Sequence, residues 1–150
     1  MWGVETELFL FKLMFYTNFN SEKGQAIAAH PKVCLSFFWP SLERQVIIKG
    51  TAVKVDEATA TVYFKSRPEG SQLGAIVSPQ SQVIPHREFL EQALAENSTS
   101  APLEKPSHWG GYKVAPEEIE FWQGRPNRLH DRVRCQLKSN ASWIIERLAP

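Results

Sequence analysis

Arg128, His130 and Arg132 stand at i, i+2 and i+4 in the stretch FWQGRPNRLHDR, Phe121–Arg132. On a β-strand running from Arg128 to Gln136 these three side chains would share one face. Two guanidiniums and an imidazole aimed into one space repel one another unless something anionic or electron-rich lies between them. Guanidinium forks suit phosphates and carboxylates. Trp122 and the turn Gly124-Arg125-Pro126-Asn127 come just before. An aromatic wall, a tight turn and a cationic strand together favour a ligand site. A bare R-x-H-x-R would more simply be a solvated sheet edge.

A second cationic spot is Tyr63, Arg67 and Ser71, spaced four apart. Pro68 disfavours helix at Arg67, so a break is expected there, with Ser71 in the first turns of the next helix. A helix start, two hydroxyls and a guanidinium make a phosphate cradle. The plain alternative is a tyrosine packed on the core beside a surface arginine, and on local grounds it is slightly preferred. A third spot is Tyr16 and Thr17, followed by Ser21 and Lys23. A strand end, a turn and a lysine at a helix start could hold a phosphate. Glu22 counts against this, and a solvated turn explains the same residues equally well. Gln45 and the pair Gln80-Ser81 carry groups able to read donors and acceptors on a planar ring.

No nucleophile elbow, P-loop or GxGxxG turn occurs. The four histidines and two cysteines show no metal-ligand spacing and no CxxC, so neither a metal site nor a disulfide framework is expected. If the chain is an enzyme, its reactive chemistry belongs to a bound cofactor.

These side chains need elements to hold them. Leu8–Tyr16 reads as a buried strand rich in aromatics. Thr17–Gly24 reads as a turn and Gly24–His30 as a short helix stopped by Pro31. Lys32–Trp39 and Glu43–Val55 read as strands, with Gly50 marking a bulge or bend. Asp56–Ser66 suits a helix. Ser66-Arg67-Pro68-Glu69 resembles a capping box for a helix from Pro68 to about Val77. Ser78–Gln82 reads as a loop, Pro85–Glu96 as an amphipathic helix and Asn97–Pro106 as a flexible excursion. Gly110-Gly111 suggests a tight turn. Further strands are expected near Tyr112–Val114, Ile119–Trp122, Arg128–Gln136 and Trp143–Arg147. About six or seven strands with two or three helices between them indicate an α+β fold, mainly antiparallel, in a single domain over residues 1–150.

The chain has 150 residues, enough for one core, and a formal net charge of +1. That charge argues against a nucleic-acid protein working through a broad basic face. The apolar start is interrupted by Lys12 and is much shorter than the roughly 20 residues of a membrane span. It does not read as a signal peptide, so a cytoplasmic protein is expected.

Several stretches, in order, resemble the pyridoxamine 5′-phosphate oxidase family: FYTNFNSEKG, LERQV, YFKSRPEGSQLGA, VSPQSQVI, SHWGGY, IEFWQGRPNRLHDR and the closing ERLAP. Together they run from about Met14 to Pro150, and the combination of SRP with SQLGA, FWQG and RLHDR is highly specific. The resemblance implies a split β-barrel with a few flanking helices, forming a homodimer with FMN at the subunit interface. It implies oxidation of pyridoxamine or pyridoxine 5′-phosphate to pyridoxal 5′-phosphate in the vitamin B6 pathway. A hydride would pass from the substrate's C4′ to the flavin N5, and dioxygen would reoxidise the flavin, giving hydrogen peroxide.

Carried onto this sequence, the resemblance implies that Tyr63, Arg67 and Ser71 bind the substrate phosphate. Arg128 and His130 would lie against the substrate ring as the catalytic pair. Tyr16, Thr17, Lys23, Gln45, Gln80, Ser81, Trp122 and Arg132 would contact FMN. Two departures stand out. The family carries Arg where this chain has Glu22, and a buried unpaired anion beside a flavin phosphate would be costly. Met1–Leu13 does not match the longer N-terminal region of the family, so the chain looks shortened at its start. The contrasting expectation is a non-catalytic or impaired protein of the same fold that binds flavin or pyridoxal 5′-phosphate.

Overall fold

The computed structural model describes residues 13–98 and 102–150. The expected strand at Leu8–Tyr16 falls partly outside them. Its described part is β1, Leu13–Asn18, which continues past Tyr16. Helix α1 follows at Glu22–Ala29, then β2 at Lys32–Trp39 and β3 at Arg44–Lys54. Three helices come next: α2 at Glu57–Ser66, α3 at Glu69–Val77 and α4 at Glu88–Asn97. The chain closes with β4 at Trp109–Gln123, β5 at Asp131–Leu137 and β6 at Trp143–Leu148. The strand order is β2-β3-β4-β5-β6, with β1 paired to β4. The pairs β2/β3, β4/β5 and β5/β6 are antiparallel. The expected α+β class with mainly antiparallel strands holds. Among the described residues no helix is long and apolar enough to cross a membrane.

The described residues divide into two compact units, and strands β3 and β4 contribute residues to both. One comprises Pro31–Ala52 and Val114–Pro150. It holds β2, most of β3 and β4, and all of β5 and β6, around Ile48, Val114, Ile119 and Cys135. The β2/β3 register runs unbroken from Lys32↔Thr51 to Trp39↔Arg44, passing through Val33↔Gly50. Gly50 is therefore not a bulge. A Cβ there would strike the Ala115 carbonyl and lie 3.1 Å from the Pro116 Cα, so the glycine permits close approach of β4. The two strands expected near Tyr112–Val114 and Ile119–Trp122 form one continuous strand through Pro116.

The other unit comprises Leu13–His30 and Val53–Lys113. Its core centres on Phe64, fully buried, with Ile27, Ala60, Trp109 and Tyr112. Burying a side chain of that size stabilises the fold by about 1.5–3 kcal/mol. Local capping fixes where the helices start. The Ser21 Oγ accepts from the Gly24 N–H at 3.1 Å and donates to the Asn18 carbonyl at 2.6 Å, which starts α1 two residues before the expected Gly24. Asp56 caps α2 by accepting from the Thr59 N–H and hydroxyl at 2.8 and 2.7 Å. Arg67 then takes the extended backbone that Pro68 favours and ends the helix. The capping box expected at Ser66–Glu69 does not form. Ser66 is the last residue of α2, and its hydroxyl turns back to the Tyr63 carbonyl at 2.8 Å. Pro68 precedes α3 without a side-chain cap. Gly110 and Gly111 lie within β4 rather than in a turn. A Cβ on Gly111 would lie 2.8 Å from the Tyr16 ring, so an aromatic packing against the strand explains that glycine.

Candidate functional site

Each unit carries a cavity lined by residues singled out from the sequence. In the helical unit a cavity of about 470 Å³ is lined by Tyr16, Thr17, Tyr63, Arg67, Ser71 and Gln80, among others. Six residues from four separate stretches thus share one space. Tyr16, within β1, stacks on Tyr63 of α2 with ring centroids 3.8 Å apart and on Trp109 at 5.4 Å. The Arg67 guanidinium lies over the Trp109 ring, 4.9 Å from its centroid. Its Nη1 is buried and has no hydrogen-bond partner. A buried, unpartnered guanidinium nitrogen is costly unless a ligand completes it. Gln72 fixes the backbone beneath it, donating from Nε2 to the Arg67 carbonyl at 2.8 Å.

The cavity also contains an oriented amide. The Gln80 Oε1 accepts from the Thr17 hydroxyl and from the Asn18 N–H, both at 3.1 Å. With its oxygen committed twice, Gln80 offers its NH₂ as the donor to a ligand. Ser81, next along, has a left-handed backbone at φ 70 and is exposed. Lys23 is exposed on α1, and so is Glu22. The Glu22 carboxylate is open to solvent and not a buried unpaired anion. Glu22 sits in the first turn of a helix, where a carboxylate is favourable. Burial chiefly raises the Tyr16 hydroxyl above its ordinary range, reinforced by Tyr63 and then Asp56.

In the sheet unit a second cavity, of about 430 Å³, includes Gln45 and Trp122 with the apolar side chains of Trp39, Val46 and Val133. Trp122 pairs across the strands with Arg132. Arg132 donates from Nε and Nη2 to the two carboxylate oxygens of Glu120, at 2.8 and 3.1 Å, and from Nη1 to the Ala149 carbonyl at 3.1 Å. This fork-to-fork pairing holds the Glu120 carboxyl below its ordinary range.

The strand expected from Arg128 does not begin until Asp131. Pro126–Arg128 form a 3-10 turn, with Asn127 at φ 59 and Arg128 at φ 62. Two successive left-handed residues cannot sit in a strand, so alternation does not put Arg128, His130 and Arg132 on one face. Arg128 is exposed. His130 lies beside Trp122, with ring centroids 4.9 Å apart, and its Nδ1 accepts from the Arg125 N–H at 3.1 Å.

Two residues of the helical unit matter beyond what the sequence pattern signals: Trp109, which lines the first cavity, and Lys105, bonded to its carbonyl. In the sequence Trp109 stands out only as part of SHWGGY, yet it carries both the tyrosine stack and Arg67. Lys105 lies in the segment expected to be a flexible excursion. Its side chain is only 3% exposed, and its ammonium pairs with Glu57 at 2.8 Å and donates to the Trp109 carbonyl at 2.9 Å. The crowding of Gly110 and Gly111 was the available signal for Trp109. Nothing local signals Lys105.

The fold is shared with solved structures. The chain is similar to PhzG from Burkholderia lata, solved in complex with tetrahydrophenazine-1-carboxylic acid, with a TM-score of 0.82 and 26% identity over 93% of this chain and 69% of that one. It is also similar to a pyridoxamine 5′-phosphate oxidase-related, FMN binding protein from Nostoc punctiforme, with a TM-score of 0.76 and 17% identity over 93% and 73%. At that identity the second likeness speaks for the fold.

The family follows from sequence. Residues 10–100 match the model of the pyridoxamine 5′-phosphate oxidase family, and residues 109–150 match the pyridoxine 5′-phosphate oxidase C-terminal dimerisation region. A pyridoxine/pyridoxamine 5′-phosphate oxidase of Flavobacterium johnsoniae is 60% identical over 139 residues, 91% of this chain and 65% of that protein. One of Leptospira interrogans is 49% identical over 151 residues, 99% and 69%. The chain belongs to the pyridoxamine 5′-phosphate oxidase family. It spans 65% of the length of the Flavobacterium relative.

Proposed function

We propose that this chain binds FMN and oxidises pyridoxamine 5′-phosphate or pyridoxine 5′-phosphate to pyridoxal 5′-phosphate, with dioxygen as the final acceptor, as a homodimer. The observation that carries this reading is the buried, unpartnered Nη1 of Arg67 on a cavity shared with Tyr63 and Ser71. A phosphate supplies the acceptor oxygens that this nitrogen lacks. The donor set also suits FMN. Thr17 and the oriented Gln80 offer polar contacts in one cavity, while Gln45 and Trp122 offer an amide and an aromatic wall in the other. Bound FMN would supply the two-electron acceptor for the substrate's hydride. This chain's residues bind and orient. Tyr63, Arg67 and Ser71 hold the phosphate, Trp109 keeps Arg67 over its ring, and Arg128 and His130 meet the substrate ring. The family dimerisation region over residues 109–150 supports the homodimer.

A second reading, a flavin- or pyridoxal-phosphate-binding protein without turnover, has one observation in its favour. The Arg132 guanidinium is held by Glu120 and the Ala149 carbonyl. An assay separates the two. Purified protein supplied with FMN should convert pyridoxamine 5′-phosphate into a product that absorbs as an aldehyde. Yellow protein without turnover would favour the second reading, and colourless protein inactive in excess FMN would sink the first.

A further inference from the structure

The turn before β5 is organised around His130. The backbone N–H of Arg125 points at its Nδ1 from 3.1 Å. A backbone N–H only donates, so Nδ1 must carry a lone pair, and the ring proton of a neutral imidazole then sits on Nε2. We infer that this turn holds His130 as a neutral Nε2–H hydrogen-bond donor, with Arg125 as the positioning residue acting through its main chain.

The frame around that bond is made of several interactions. Arg125 Nε donates to Asp131 Oδ2 at 2.8 Å, and Arg147 Nη1 donates to Asp131 Oδ1 at 2.6 Å. Asp131 thus ties both ends of the turn to β6. The Gly124 N–H donates to the Glu43 carbonyl at 2.7 Å, and Gln123 Nε2 donates to the Leu42 carbonyl at 3.1 Å. The left-handed Asn127 and Arg128 reverse the chain so that residue 130 returns to residue 125. Trp122 packs against the imidazole. The arrangement fixes what His130 can do: it offers a proton to an acceptor on a ligand and does not offer Nδ1 as a base. The inference rests on the proposed oxidase reading only for the nature of that ligand, an acceptor atom of FMN or of the pyridine substrate.

The test is nitrogen NMR on the ligand-free chain labelled with ¹⁵N-histidine, with His130 assigned by loss of its signals in His130→Gln. Long-range proton–nitrogen correlations should show a protonated Nε2 and an unprotonated Nδ1. The same pattern should persist in Arg125→Ala, which removes the guanidinium but keeps the backbone donor. A protonated Nδ1, or a tautomer mixture like that of free imidazole, overturns the inference. Adding FMN, and then pyridoxal 5′-phosphate, should move the Nε2 resonance at one of the two steps and so identify the acceptor. An Nε2 resonance that moves at neither step removes its role as a donor to ligand. Because the tautomer is read without ligand, an inactive protein with Nε2–H His130 would count against the oxidase and not against the inference.

Discussion

Arg67 lies with its guanidinium carbon 4.9 Å from the centroid of the Trp109 ring, and its Nη1 is buried with no hydrogen-bond partner. A cation held against an aromatic face with one nitrogen unanswered is prepared for an anion. Replacing Arg67 with Ala should weaken binding of the phosphorylated substrate by the worth of a charged hydrogen bond, about 1.5–3 kcal/mol, or roughly 10–150-fold in KM. Binding of pyridoxamine without its phosphate should hardly change. Steady-state kinetics with both substrates checks this, and an equal loss for both would remove Arg67 from the phosphate site.

The aromatic stack should also be a stability element. Trp109→Ala takes away a buried ring that meets Tyr16, Phe64 and Arg67. It should cost about 3–5 kcal/mol in chemical denaturation. Gly111→Ala introduces a Cβ 2.8 Å from the Tyr16 ring and should cost about 1–3 kcal/mol by overpacking. A Gly111→Ala midpoint equal to that of the unsubstituted chain would mean that the ring moves aside freely.

Lys105 offers a sharper comparison. Its ammonium is nearly buried and is bonded to Glu57 and to the Pro106 and Trp109 carbonyls. Lys105→Met keeps most of the apolar stem but leaves those acceptors unanswered, and should cost about 1–3 kcal/mol. Glu57→Gln should cost little, because Glu57 is 79% exposed and the two carbonyl bonds survive. Denaturation curves for the two variants test the asymmetry, and equal losses would shift the weight onto the ion pair.

The pair between Arg132 and Glu120 predicts a pH effect. The bonds from Arg132 hold the Glu120 carboxyl below its ordinary value of 4.5. A carboxylate lowered in the folded chain stabilises it above the unfolded value and loses that contribution as pH falls through the folded value. Stability of the unsubstituted chain should therefore decline below about pH 4.5, and Glu120→Gln should make that decline shallower. Melting temperatures taken from pH 7 to pH 3 decide it, and parallel profiles would contradict it.

Much of the fold was legible because the local chemistry was unambiguous. The bounds expected for β2 match those observed, set by Pro31 before it and Pro40 after it. Asp56 caps α2 and Pro68 stops it, both for reasons visible in the sequence. The candidate residues Tyr63, Arg67 and Ser71 do meet in one cavity. The reading of Arg128, His130 and Arg132 as one strand face failed because Asn127 and Arg128 adopt left-handed backbone, a conformation that no local periodicity reveals. The roles of Trp109 and Lys105 are not legible because Trp109 meets Tyr16, Phe64 and Arg67, and Lys105 pairs with Glu57, all distant in sequence. Glu22 reads as part of a turn in the sequence, and the Ser21 cap instead places it in the first turn of α1, where a carboxylate is favoured.

Exposure of Glu22 gives its own expectation. Glu22→Arg should raise FMN affinity by less than about fivefold, the scale of an exposed charge pair. Flavin fluorescence titration measures it. A rise of a hundredfold would show that the carboxylate faces the flavin phosphate after all.

The proposed activity is transfer of a hydride from a phosphorylated B6 vitamer to FMN. The most direct measurement is the visible absorbance of the FMN-loaded protein mixed with pyridoxamine 5′-phosphate in the absence of oxygen. The yellow colour should be lost and should return when air is admitted, with pyridoxal 5′-phosphate formed. Yellow protein that keeps its spectrum under saturating pyridoxamine 5′-phosphate would contradict it.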